Sequence, residues 1–305
     1  MSHAGGTVSE GRSRFLDMRA LAALSHMRLV TRQQIEGAYS GRHRSRQKGG
    51  AGEFADYREY SEGEDLRRLD WKVLARTGRA YLRIFEDETN LRCMLAIDAS
   101  GSMAFGGEAG GSKLEYAQYL GTALSQLILS QQDQVGVAVI SDGLVEEMTP
   151  GGTSLHVRRV QEAIEKIQPK PKTMLAEGLK ELFARMTLRG VLMVMSDFLV
   201  DDLEQVFATV RLFRHRRWEV IALHLIHPEE ERLPEGLAYR FEGMEEDGRV
   251  DASPAEVRKL YEERFVEHCR MVRGLALAAG CDYRRISTGD AYLKTLGGFL
   301  VERAG

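Results

Sequence analysis

The sequence predicts an α/β fold: a mostly parallel sheet with helices on both faces and an N-terminal segment packed on it. Three observations predict it. From about residue 90 onward, short apolar runs alternate with stretches of helical period, the pattern of strands buried on both faces by crossover helices. Two of those runs end in a carboxylate, at Ile97-Asp98 and Ser196-Asp197. The composition, 43% hydrophobic and 29% charged, is that of an ordinary globular chain.

The elements follow in order. Residues 1–12 are rich in Gly and Ser and read as a loose tail. Phe15, Leu16, Met18, Leu21, Ala22 and Leu24 fall on a helical period. Arg42, Arg44, Arg46 and Lys48 then alternate with small or polar residues, and Gly49, Gly50 and Gly52 follow, as in an exposed loop. Residues 53–78 are dense in both signs of charge, with Trp71 and Leu74 as apolar anchors. Asp65, Arg67, Asp70, Lys72 and Arg76 are expected to form an ion-pair network holding this segment to the sheet. A strand is expected over 81–85. These elements make up residues 13–89, and 90–305 form the α/β domain.

Within that domain, strands are expected over 91–97, 135–140, 191–195, 219–226 and 282–286. Helices are expected over 113–130, 154–167, 174–188, 202–215, within 253–279 and near 290–302. Asp142-Gly143 predicts a hairpin into 144–148. Residues 232–252 are expected to leave the sheet as an irregular excursion.

Several function classes are excluded. A net charge of −3 gives no global field for nucleic acid. The three cysteines, Cys93, Cys269 and Cys281, have no metal-ligand spacing and cannot all pair. Gly106 to Lys113 mimics a phosphate loop, but Ser112 precedes Lys113 and Glu108 would repel phosphate. His224 and His227 lack a second ligand pair and read as structural or surface residues. No apolar run approaches the ~20 residues of a membrane span, and residues 1–14 lack the apolar core of a signal peptide. A cytoplasmic location is expected.

The chemistry concentrates at Asp98-Ala99-Ser100-Gly101-Ser102. In an open α/β sheet, ligands bind beyond the carboxyl ends of the strands. An Asp there, followed by hydroxyls at alternate positions of a turning loop, aims oxygens at one point, as a hard divalent ion requires. Asp197 ends another strand. Thr173 lies in a Pro-Lys-Thr turn before a helix, where its ordinary role is a helix N-cap. Two uncompensated acids repel each other, and a dication relieves that repulsion.

The Asp-x-Ser-x-Ser string, followed by a Thr and an Asp, resembles the metal-ion-dependent adhesion site of von Willebrand factor A domains, over about residues 90–300. The resemblance implies that Asp98, Ser100, Ser102, Thr173 and Asp197 hold Mg²⁺, or Mn²⁺ or Ca²⁺. It implies direct contacts from the serines, contacts often through water from the acids, and one position left for an acidic side chain of a partner. Thr153, in Gly151-Gly152-Thr153, competes for the threonine role. Thr173 is preferred because Thr173 to Leu179 is similar to the helix start of that family.

The upstream residues His43, Ser45, Gly49, Glu53-Phe54, Arg58-Glu59-Tyr60, Gly63-Glu64-Asp65, Arg67, Asp70-Trp71-Lys72 and Ala75-Arg76 narrow the match. With them, about 40–300 resembles the bacterial DUF58 family, which carries such a domain. Glu64 stands where that family usually has Asp. The resemblance implies an adaptor working with a MoxR-type AAA+ ATPase in assembly or maturation, and not an enzyme. Arg42, Arg44, Arg46 and Lys48, with Met103 and Phe105 of the loop 103–112, are expected to form the partner-binding rim. The alternatives are a metal-dependent hydrolase or phosphatase and a nucleic-acid binder using residues 42–48.

Overall fold

The computed structural model describes residues 53–61, 69–86, 91–107, 111–186, 189–231, 239–242, 249–252 and 254–304, with positions 15, 21, 22, 24, 27 and 29. The expected tail and the basic residues Arg42, Arg44, Arg46 and Lys48 lie outside the described residues, as do Asp65 and Arg67.

Two strands precede the main domain. β1 (Glu53–Glu59) pairs antiparallel with β2 (Tyr81–Glu86). Between them runs α1 (Trp71–Thr77). The density of charge over 53–59 hides β1 in the sequence, because no apolar alternation marks it. Asp70 is the N-cap of α1. Its Oδ1 accepts from the Lys72 and Val73 N–H groups at 2.9 and 3.1 Å, which satisfies two orphan donors of the first turn.

Trp71 is not the core anchor expected of it: it is 59% exposed. As the first residue of a two-turn helix with no buried side chain, it projects outward. Asp70→Ala is therefore expected to cost about 1 kcal/mol through the lost cap. Trp71→Ala should stay within about 0.5 kcal/mol of wild type. Urea denaturation of the two variants checks both values.

The main sheet has six strands in the order β10-β7-β6-β3-β4-β5. These are β3 (Arg92–Asp98), β4 (Gln134–Ile140), β5 (Leu144–Gly151), β6 (Val191–Ser196), β7 (Glu219–Ile226) and β10 (Asp282–Ser287). Every pairing is parallel except β4 with β5. That exception is the hairpin expected at Asp142-Gly143. Gly143 sits there at φ 124°, a conformation open to glycine and rare for other residues.

Side chains of β3 alternate between the two faces, as a strand buried on both sides requires. Cys93, Leu95 and Ile97 pack with α2 (Lys113–Ser130), α3 (Ser154–Lys166) and α8 (Tyr292–Ala304). Met94 and Ala96 pack with α4 (Leu175–Arg185), α5 (Leu203–His215) and α7 (Pro254–Ala278). Between β7 and α7 lie the short α6 (Pro228–Glu231) and a two-stranded ribbon, β8 (Tyr239–Glu242) with β9 (Arg249–Ala252). That ribbon is the expected excursion. The arrangement is the expected α/β fold, a mostly parallel sheet with helices on both faces. Cys93, Cys269 and Cys281 are buried and unbridged.

This topology positions the site. The chain leaves β3 for α2 on one face and leaves β6 for α5 on the other. β3 and β6 are neighbours, so a crevice opens between their carboxyl ends, the switch point where open sheets bind ligands. Asp98 is the last residue of β3, and Asp197 follows the last residue of β6.

Candidate metal centre

The crevice brings Asp98, Ser100, Ser102 and Asp197 together. Asp98 is buried at the end of β3. Its Oδ1 accepts from the Ser100 N–H at 2.9 Å, and its Oδ2 accepts from the Ser196 hydroxyl at 2.5 Å. The chain then turns through a short 3₁₀ segment, Gly101–Ala104. That turn sets the Ser100 and Ser102 hydroxyl oxygens 3.1 Å apart, and the Ser102 hydroxyl also bonds to Asp197. The carboxyl groups of 98 and 197, distant in sequence, thus share one network of hydroxyls.

Thr173 completes the wall. Its N-cap role does not occur: the N-cap of α4 is Met174, which makes no side-chain cap bond. Thr173 Oγ1 is buried and has no hydrogen-bond partner. It lines a cleft of about 790 Å³ with Ser102, Phe105, Met174, Leu199 and Glu230. The rival, Thr153, is the N-cap of α3 and accepts from the His156 N–H at 3.1 Å. Thr153 also lies near Gly151, which pairs with Val135 at the start of β4. It therefore sits at the opposite end of the sheet from Asp98, which pairs with Ile140.

Backbone bonds lock the threonine turn to the strand ends. Met174 N–H donates to the Ser141 carbonyl at 2.6 Å, and Lys170 N–H donates to the Ala99 carbonyl at 2.8 Å. The Ser141 hydroxyl donates to the Lys172 carbonyl at 3.0 Å.

Two members of the expected rim part company. Phe105 lines the cleft and meets His227 edge-on at 5.3 Å between ring centres. Met103 does not reach the surface: it is 0% exposed and belongs to the core with Leu114 and Ala117. The tight 3₁₀ turn that presents Ser102 directs Met103 inward, so it supports the serines from below and cannot touch a partner.

Sequence reasoning missed three residues of this site. Lys113 is fully buried, its Nζ 2.7 Å from Asp197 Oδ2 and also bonded to Glu230 Oε1. It had been visible only as the failed end of a phosphate-loop pattern. Glu230, on α6, accepts from the His227 N–H through its second oxygen at 2.8 Å. Its signal, a Pro-Glu-Glu-Glu run, looks like a solvated surface. Ser196 ties the two strand ends together and accepts from the Phe198 N–H at 2.8 Å.

Phe198 itself lies at φ 54°, a left-handed conformation that costs a bulky residue about 1–3 kcal/mol. Burial of its ring against Phe207 and His224 offsets that cost. The turn it makes lets the Leu199 N–H donate to Asp197 Oδ1 at 3.0 Å. His224 bonds to the Tyr283 hydroxyl at 2.8 Å and meets the His268 ring edge-on at 5.9 Å between centres. Burial first, then His268, pushes His224 down to about 3, so its ring is neutral and structural.

The electrostatics divide the two acids. Burial, and then the nearby Asp197 charge, raise Asp98 to about 6, against the opposing bonds from Ser196 and Ser100. Burial also pushes Asp197 upward, but the Lys113 ammonium overrules it and holds Asp197 below the usual carboxylate range. Burial of Lys113 is likewise outweighed by Asp197 and Glu230, so its pKa is raised and it is firmly protonated. Asp197 is thus a paired anion, whereas Asp98 is an anion with hydrogen bonds but no cation of its own among the described residues.

A model of the family described as protein of unknown function DUF58 matches residues 56–271, over two thirds of the chain. The chain belongs to the DUF58 family. The DUF58 match includes Asp98, Ser100, Ser102, Lys113, Thr173, Asp197 and Glu230. Uncharacterized proteins of Mycobacterium tuberculosis and Mycobacterium bovis are each 28% identical to it over 225 residues, covering 72% of this chain and 69% of theirs. Among solved structures, an aerotolerance-related membrane protein from Bacteroides fragilis has 18% identity, covers 69% of this chain and 98% of its own, and gives a TM-score of 0.47. A von Willebrand factor type A protein from Catenulispora acidiphila has 12% identity, covers 74% and 44%, and gives 0.42. No helix among the described residues of this DUF58 chain is long and apolar enough to cross a membrane.

Proposed function

We propose that this chain is a protein-interaction module whose crevice holds a divalent ion, Mg²⁺ by preference, and that the ion captures a carboxylate of a partner protein. Ser100, Ser102 and Thr173 would supply hydroxyl oxygens and Asp98 a carboxylate. Asp197, already paired with Lys113, would act through water. A hard dication takes oxygen ligands of this kind and keeps several waters.

One observation carries the reading: the buried, partnerless Oγ1 of Thr173, on the same cleft as Ser102. A buried hydroxyl without a hydrogen bond costs about 1–3 kcal/mol, and a metal ligand is one reason to retain it. The unneutralised Asp98 at the end of β3 supports the same reading. Thr173→Val is expected to be at least as stable as wild type in chelator, since no bond is lost and an unpaired buried hydroxyl is removed. Mn²⁺ affinity should nevertheless fall by about tenfold. Paired denaturation and metal titration check the two halves.

The DUF58 resemblance adds a MoxR-type AAA+ ATPase as the partner, with assembly or maturation of protein complexes as the setting. Affinity capture on the immobilised full chain tests the function, using a purified MoxR-type ATPase. Retention in Mg²⁺ that is lost in chelator and in Asp98→Ala supports the proposal. Retention that ignores both overturns the metal mechanism. Metal-stimulated turnover of phosphate esters that disappears in Asp98→Ala would point to a hydrolase instead.

A further inference from the structure

We infer that Lys113 is the standing counter-cation of the metal cup: it pairs Asp197 and Glu230 and lets the domain hold its shape before any metal binds. The inference rests on the metal reading above and goes beyond it by assigning a role to two residues, Lys113 and Glu230, that are not among the proposed ligands.

The geometry carries it. Lys113 is the first residue of α2 and is wholly buried. Its backbone N–H is fixed by the Phe105 carbonyl at 3.0 Å, and its ammonium lies 5.7 Å from the centre of the Phe105 ring. From there Nζ bonds at once to Asp197, at the end of β6, and to Glu230, on α6. Two buried carboxylates, Asp197 and Glu230, therefore share one buried ammonium at the edge of the crevice.

A lone buried charge is costly, and a pair whose remaining lone pairs are satisfied is tolerated. Here the remaining acceptors are filled: Asp197 Oδ1 by the Leu199 N–H and Glu230 Oε2 by the His227 N–H. The strand ends and α6 are thus tied together by an ammonium that needs no exogenous ion. Metal arrival then changes the site's affinity for an anionic partner without having to build the site.

Lys113 and the ion are also competitors in charge. Two cations a few ångströms apart in a partly dry crevice repel each other strongly. Lysine therefore weakens metal binding by design, keeping the ion exchangeable. Glu230 acts in the opposite direction.

The test is calorimetric titration of Mn²⁺ into the full chain, with melting curves in chelator and in Mn²⁺, for wild type, Lys113→Met, Lys113→Arg and Glu230→Gln. Wild type should fold cooperatively in both media and melt higher in Mn²⁺ by the ordinary linkage of a bound ion. Lys113→Met should bind Mn²⁺ at least about tenfold more tightly and should depend on the metal for its stability, in the extreme folding only when metal is present. Glu230→Gln should bind about tenfold more weakly, and Lys113→Arg should stay within about threefold of wild type. If Lys113→Met folds in neither medium, the Glu230→Gln shift decides alone. Equal Mn²⁺ affinity in wild type, Lys113→Met and Glu230→Gln overturns the inference and leaves the metal reading standing. Absence of saturable binding in every variant brings down the metal reading itself.

Discussion

Asp98→Asn is expected to weaken divalent-ion binding by at least about a hundredfold while leaving the metal-free protein as stable as wild type, or more stable, at neutral pH. Both halves follow from the same environment. Asp98 is buried beside Asp197 with no cation of its own among the described residues, and these two causes, burial first, raise it to about 6. An amide keeps an acceptor for the Ser100 N–H and can still meet the Ser196 hydroxyl. It removes only the charge. In the unfolded chain the same carboxyl titrates near its ordinary value of about 4.

A group whose folded pKa lies above its unfolded one contributes stability that is complete below the unfolded value and is lost as pH rises through the folded value. In chelator, wild type should therefore lose on the order of 2–3 kcal/mol between about pH 4 and pH 6.5 through this group. Asp98→Asn should lack that component of the slope, and saturating Mg²⁺ should restore the stability of wild type at pH 7. Urea denaturation across this range, with and without chelator, measures all three. A steep loss of stability in Asp98→Asn at neutral pH would show that the carboxylate is structural and would count against an ion at this position.

Asp197→Ala should behave in the opposite manner and cost about 3 kcal/mol in chelator. Asp197 is held below the usual carboxylate range because Lys113 outweighs its burial. Removing it strips a fully buried ammonium of one of its two carboxylates. It also deletes the acceptor of the Leu199 N–H, which fixes the turn behind the left-handed Phe198. Its sign with pH is reversed as well. A carboxyl lowered on folding contributes stability that is present above its unfolded pKa and lost as pH falls through the folded one. The gap between wild type and Asp197→Ala should therefore narrow below about pH 4. Equal stability of Asp98→Asn and Asp197→Ala at pH 7 would refute the division of roles between the two acids.

The contrast shows what the chain discloses on reading. The strand ends were legible because a strand buried on both faces has to be apolar until it leaves the sheet, so Asp98 and Asp197 mark those exits plainly. The two serine hydroxyls were legible for the same local reason, since Ser100 and Ser102 follow within four residues of Asp98.

Lys113 and Glu230 were not legible. Each is an ordinary charged residue in its own neighbourhood, one before an amphipathic helix and one in an acidic run. Only the crossing of α2 and α6 over the strand ends makes them partners, at a sequence separation of 117. Met103 and Trp71 fail in the other direction. An apolar residue in a loop reads as exposed and an aromatic in a charged segment reads as buried, yet a 3₁₀ turn directs the first inward and a two-turn helix directs the second outward. Local composition cannot supply either direction, because it depends on which face of a short element meets the sheet.

The account stands on one ion between the carboxyl ends of β3 and β6. Isothermal titration of Mn²⁺ into the chelator-stripped full chain, beside Asp98→Asn, measures that most directly. A saturable heat corresponding to one ion per chain in wild type, absent from Asp98→Asn at the same protein concentration, is the predicted result. No saturable heat in wild type, or an identical isotherm in the variant, would contradict it.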